Sequence, residues 1–146
     1  MKVIMDTNIL VNVFISPSRK SASYKIFELC LTEQIKPQIG SALFKEYEDV
    51  LSRSEIVSLS KYTKEDLTIM FDGFLSVCSW TKINYLWRPN LKDEADNHLI
   101  DLAVASNAEF IISRNIKDLY SGDLKFNFKP VTPEDFLEIN NGNYNL

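Results

Sequence analysis

Short apolar runs alternate with stretches whose apolar residues recur every three or four positions. That alternation predicts an α/β domain built on a parallel sheet. Val3-Ile4-Met5 reads as a first buried strand, Ile35 to Ile39 as a second, Trp80 to Ile83 as a third, Phe110-Ile111-Ile112 as a fourth and Phe126 to Val131 as a last. Helical patterns run from about Thr7 to Phe14 and from about Ser21 to Glu33, with Pro17 and Ser18 between them. Ser41 is expected to cap a helix reaching about Ser52. Thr63, with Asp66 three residues on, opens another that carries Leu67, Met70, Phe71, Phe74, Leu75 and Cys78 on one face. That wide face closes a core or pairs two protomers. A helix is expected from about Glu94 to Ser106. Thr132 and Pro133 then cap and start a terminal helix, and the asparagine-rich tail from about 140 is expected to fray.

Neither a linker nor a repeat interrupts this order, so residues 1–146 read as one domain. A 45% hydrophobic and 25% charged composition excludes disorder and fibre classes. No apolar run approaches the ~20 residues of a membrane span. The first ten residues are too broken by Asp6 and Asn8 to form a signal-peptide core. Cys30 and Cys78 sit among apolar residues as two thiols rather than a disulfide framework. The expected location is the cytoplasm. Sixteen basic against twenty acidic residues give a net charge of −4, which argues against a broad basic face for nucleic acid. Reaching a phosphate through a bound cation stays open.

Ligands of an open parallel sheet bind beyond the carboxyl ends of its strands. Asp6, Thr7 and Asn8 follow the first strand, and Ser113, Arg114 and Asn115 follow the fourth, so both sets belong to one edge. Asp6 also suits a helix cap. Asp96 lies along the middle of the Leu99, Ile100, Ala103 and Val104 face, and a carboxylate aimed inward must be paired or metal-bound; with Asp93 it also fits a capping pair. Glu46 and Glu48 flank the apolar face of the Ser41 helix on opposite sides, and periodicity does not choose between them. His98, the one histidine, projects opposite Asp96, so a histidine-rich zinc site and a Ser–His–Asp triad find little support. Glycine-rich phosphate loops are absent as well. Converging carboxylates repel unless a cation joins them, and Mg²⁺ is the economical one.

These residues resemble a known family. Val3 to Leu10 resembles the opening strand and acidic signature of PIN-domain nucleases, and Ser41 to Glu46 is similar to their second acidic motif, which selects Glu46. Asp93-Glu94-Ala95-Asp96-Asn97-His98-Leu99 looks like the third, and Ile111 to Asn115 occupies the fourth. Thr132 to Leu137 resembles the terminal helix of a bacterial subgroup described as toxins of toxin–antitoxin systems. The implied fold is a three-layer α/β/α sandwich, PIN-like, with a central, mostly parallel sheet of Rossmann-type topology. The implied activity is hydrolysis of single-stranded RNA by a divalent-metal-dependent endoribonuclease, with an antitoxin protein as partner. Asp6, Glu46 and Asp96 would hold Mg²⁺ or Mn²⁺, and Asn115 with Ser113 would position water or phosphate. Thr7 and Asn8 would order the loop, Arg114 could meet a phosphate, and Asp93 and Asp118 would support the site. Many members carry Asp where this chain has Asn115, which bears on a second metal. That departure also allows a catalytically inactive RNA-binding module. A Mg²⁺-binding receiver-type signalling domain shares the sheet and an acidic pocket, but it needs an acidic pair after the first strand and a phospho-acceptor Asp at mid-chain.

Overall fold

The computed structural model describes residues 1–16, 18–83, 97–119 and 127–144. Five strands, β1 (Lys2–Met5), β2 (Lys36–Ile39), β3 (Ser79–Trp80), β4 (Phe110–Ile112) and β5 (Lys129–Val131), form one sheet in the order β3-β2-β1-β4-β5. Every pair is parallel. The helices are α1 (Thr7–Ile15), α2 (Ala22–Leu31), α3 (Ser41–Leu51), α4 (Ser54–Leu59), α5 (Lys64–Val77), α6 (Asn97–Ser106) and α7 (Pro133–Tyr144). Helix α2 packs against α1, α5 and α7, while α6 lies across β1, β2 and β4. The result is the three-layer α/β/α arrangement.

β1 is central because it is apolar on both faces: Val3, Ile4 and Met5 are all fully buried. The two strand prolines sit where a missing N–H costs nothing. Lys36 N donates to Met1 O, and the Ile39 carbonyl accepts from Thr81 N, so Pro37 faces the β3 side before β3 begins. Lys129 N and Val131 O both bond toward β4, so Pro130 faces away from β4.

Several expectations shift in detail. Gly40, not Ser41, is the N-cap of α3. A Cβ at Gly40 would lie 3.3 Å from the Thr81 carbonyl oxygen and 3.4 Å from Leu102 Cδ1, so glycine admits the chain leaving β3. The third strand shrinks to two residues, although Thr81 N still bonds to Ile39 O at 2.9 Å. The last strand begins at Lys129, because Asn127 and Phe128 precede the ladder. Helix α4 was not expected; it buries no residue and so leaves no periodic signal. Helix α7 runs on to Tyr144 through the stretch expected to fray, with Asn140 buried on it. The apolar face of α5 is spent on the core, with Leu67 and Phe74 buried and Met70, Phe71 and Leu75 packed against them.

One contact ties a helix to the end of the central strand. Tyr47 on α3 is fully buried, and its hydroxyl donates to the Met5 carbonyl. The β1–β2 ladder pairs Lys2 and Val3, so Met5 has run past it and its carbonyl takes the tyrosine instead. Removing the hydroxyl strands a buried acceptor, at a cost of about 1–3 kcal/mol. Tyr47→Phe is therefore expected to unfold at lower urea with an unchanged m-value; an unaltered midpoint would show that the hydroxyl contributes nothing. None of the described helices is long and apolar enough to cross a membrane.

Candidate functional site

The chain makes β1 first, builds outward to β3, then returns to place β4 on the other side of β1. The strand order reverses between β1 and β4, and a crevice opens there at the carboxyl ends. Asp6 leaves β1 and Ser113 leaves β4 at that point. Asp6 N donates to Ile112 O at 2.9 Å and Ser113 N to Val131 O at 3.0 Å, so both backbones are fixed by the ladder.

The Asp6 carboxylate is closely held. Oδ1 accepts from Thr7 N at 2.7 Å, so Asp6 is also the N-cap of α1. Oδ2 accepts from Ser113 Oγ at 2.6 Å and from Asn8 Nδ2 at 3.4 Å. Ser113 is fully buried, and its Oγ accepts in turn from Asn115 N at 3.0 Å. Asn8 closes the ring, its Oδ1 accepting from Arg114 N at 3.3 Å. Asn8 thus ties the turn after β1 to the turn after β4. The Thr7 hydroxyl is buried and has no partner among the described residues.

Burial is the main force on Asp6, lifting its carboxyl above the ordinary 3.8. The Ser113 and Thr7 hydrogen bonds pull it back, the Glu46 charge raises it again, and His98 offsets part of that. Glu46 and His98 therefore share the field of Asp6. Glu46 Oε2 lies 2.8 Å from His98 Nε2, but the approach is poorly directed, and that buried oxygen has no hydrogen bond among the described residues. His98 Nδ1 is likewise buried without one.

This corrects the placement of His98, which sequence periodicity turned away from the site. Helix α6 meets α3, and the imidazole crosses to Glu46. Glu48, the other flanking acid, is exposed. The Arg114 guanidinium takes both carboxylate oxygens of Glu134 on α7, the second at 2.8 Å, which holds Glu134 below the usual carboxylate range. The pair links the loop after β4 to α7 at the surface. Asn115 is exposed, and its backbone rather than its side chain joins the network. Asp101 on α6, which no pattern singled out, is buried and engaged. Asp93, Asp96 and the Asp118 side chain lie outside the described residues. Among the described residues no three His, Cys, Asp or Glu side chains group as a metal site.

Two acids gathered at a strand-order reversal, one desolvated and one with a buried oxygen left unbonded, suit chemistry on an anionic substrate through a cation. Comparison with curated proteins gives no match. Among family models, residues 2–117 match one described as PIN domain, a family whose members are generally nucleases. That span runs from the first residue of β1 through Asp6, Glu46 and Ser113 to the turn after β4, most of the 146 residues, and the chain belongs to the PIN-domain family.

Proposed function

We propose that the protein is a divalent-metal-dependent endoribonuclease that hydrolyses single-stranded RNA in the cytoplasm, as the toxin of a toxin–antitoxin pair. The observation that carries the reading is the pairing of Asp6 and Glu46 at the switch point, with a buried Glu46 oxygen lacking a hydrogen bond. Hard oxygen donors of this kind fit Mg²⁺ or Mn²⁺. Asp6, Glu46 and Asp96 are the proposed ligands, with Asp93 and Asp118 in support. A divalent ion held there supplies positive charge against the scissile phosphate and acidifies water.

The chain's own residues do the positioning. Ser113, Asn8 and Thr7 N fix both oxygens of Asp6 in one orientation, which limits reorganisation when substrate arrives. His98 stands 2.8 Å from Glu46, its imidazole beside the oxygen that is left without a hydrogen bond. Asn115, exposed at the mouth, offers a neutral amide to water or phosphate. It adds no charge, which supports one metal more than two.

Purified protein is expected to cut single-stranded RNA with Mg²⁺ or Mn²⁺, and Ca²⁺ is expected to bind without turnover. Cleavage undiminished in EDTA would sink the metal reading. The neutral Asn115 favours a second reading, an inactive RNA-binding module. Manganese binding by titration calorimetry, with no RNA cut under any ion, would select it. Growth arrest on expression, relieved by a small neighbouring gene product, is the test of the toxin role. A receiver-type domain finds no support beside the family match and the single Asp6 after β1.

A further inference from the structure

The imidazole of His98 has no hydrogen bond among the described residues. His98 is the second residue of α6, and its side chain is 18% exposed. Nδ1 is buried with no partner there. Nε2 lies 2.8 Å from Glu46 Oε2, and that oxygen is itself buried and unbonded. Helices α3 and α6 meet, which brings the pair together.

A nitrogen and a carboxylate oxygen stand that close when a proton, an ion pair or a cation joins them. A shared proton needs the N–H aimed at the oxygen, and here it misses. An imidazolium would carry two N–H donors. One would miss the carboxylate, and the other would be buried at Nδ1 with no acceptor among the described residues. Two bare lone pairs at 2.8 Å repel. A cation removes the conflict, and the spacing suits one. Neighbouring donors of an octahedral ion, each ~2.0–2.1 Å from it, lie about 2.8–3.0 Å apart and aim at the ion rather than at each other.

Building on the metal-dependent reading and its three carboxylates, we propose that His98 Nε2 is a further metal ligand, so that the ion meets a mixed nitrogen–oxygen set and Mn²⁺ is preferred to Mg²⁺. Among the described residues the group is this pair, with Asp6 in the field of both. Asp96 stands two positions before His98 in the sequence. Imidazole is a ligand of transition ions, whereas Mg²⁺ keeps to oxygen donors and water. A neutral nitrogen also completes the set without adding charge where carboxylates already repel.

His98 is the chain's one histidine, so an imidazole signal on a bound ion has one source. The test is pulsed EPR of the full chain, free of any histidine tag and loaded with Mn²⁺, in which a directly bound nitrogen modulates the electron spin echo. Wild type is expected to show that modulation, changed in form when its histidine carries ¹⁵N. This spectrum needs no variant, so a poorly folded substitution does not blunt it. By calorimetry, His98→Ala is expected to bind Mn²⁺ at least ~10-fold more weakly and Mg²⁺ within about threefold of wild type. Bound Mn²⁺ without nitrogen modulation, in a protein that still cuts RNA, overturns His98 as a ligand and leaves the ribonuclease reading standing; the imidazole then only orients Glu46. Modulation and affinity that survive both Glu46→Gln and Asp6→Asn overturn the shared site, because the ion then sits on His98 apart from the acids. Wild type that binds no Mn²⁺ overturns the metal-dependent reading and this ligand with it.

Discussion

Asp6→Asn is expected to lower RNA cleavage at least ~100-fold, the scale of losing a group that stabilises developing charge, while keeping the apo protein folded. Asparagine is as good an N-cap as aspartate, so α1 keeps its start. Its one oxygen cannot serve both Thr7 N and Ser113 Oγ, which costs about 1 kcal/mol. Against that, a carboxylate that burial and Glu46 both disfavour is gone. The two nearly offset. The sign with pH is definite. Because the folded-state value of Asp6 is raised above 3.8, the stability it contributes is full below 3.8 and is lost as pH rises through the raised value. Urea unfolding in EDTA at stepped pH should show wild type losing ground to Asp6→Asn across that window. A constant gap between the two would mean that Asp6 is solvated as an ordinary surface acid. Full activity in the variant would remove Asp6 from the chemistry.

Glu46→Gln is expected to raise the Mn²⁺ needed for half-maximal cleavage and to depress turnover by at least ~10-fold, the loss that even an outer partner of a metal ligand brings. Glu48→Gln should stay within about twofold, since an exposed substitution costs under ~0.5 kcal/mol. Both residues lie on α3 with similar helix propensity, so only their directions separate them. Glu46 points to His98 and shares the field of Asp6; Glu48 points to water. Equal losses from the two variants would mean that the charge of the helix, not one ligand, matters.

The difference between those two glutamates marks the limit of what the sequence made legible. Strands β1 and β4 were readable because burial on both faces produces unbroken apolar runs. Asp6 was readable because it follows the first of those runs at the ligand-binding edge. The α5 cap was readable because Thr63 Oγ1 accepting from Asp66 N is a local bond. Glu46 needed the family resemblance, because periodicity stops at the helix surface and cannot say which neighbour lies beyond. His98 was misdirected for the same reason: its direction depends on where α3 crosses α6. Ser113 reaches Asp6 across 107 residues, and Arg114 finds Glu134 on a helix that starts only after β5. No local pattern encodes such pairings. Helix α4 was lost because it has no buried face to report.

The central place of β1 has a consequence during synthesis. This strand leaves the ribosome before the other four of the sheet, yet one of its edges stays bare until Phe110–Ile112 arrive to pair with it. Parallel pairing over such a separation is slow, since the loop must close before any contact repays it. Ser113, which orients the Asp6 carboxylate, comes with that same late strand. A nascent chain therefore carries Asp6 for more than a hundred residues of synthesis without the hydroxyl that orients it, and the candidate site stays unassembled until β4 is made.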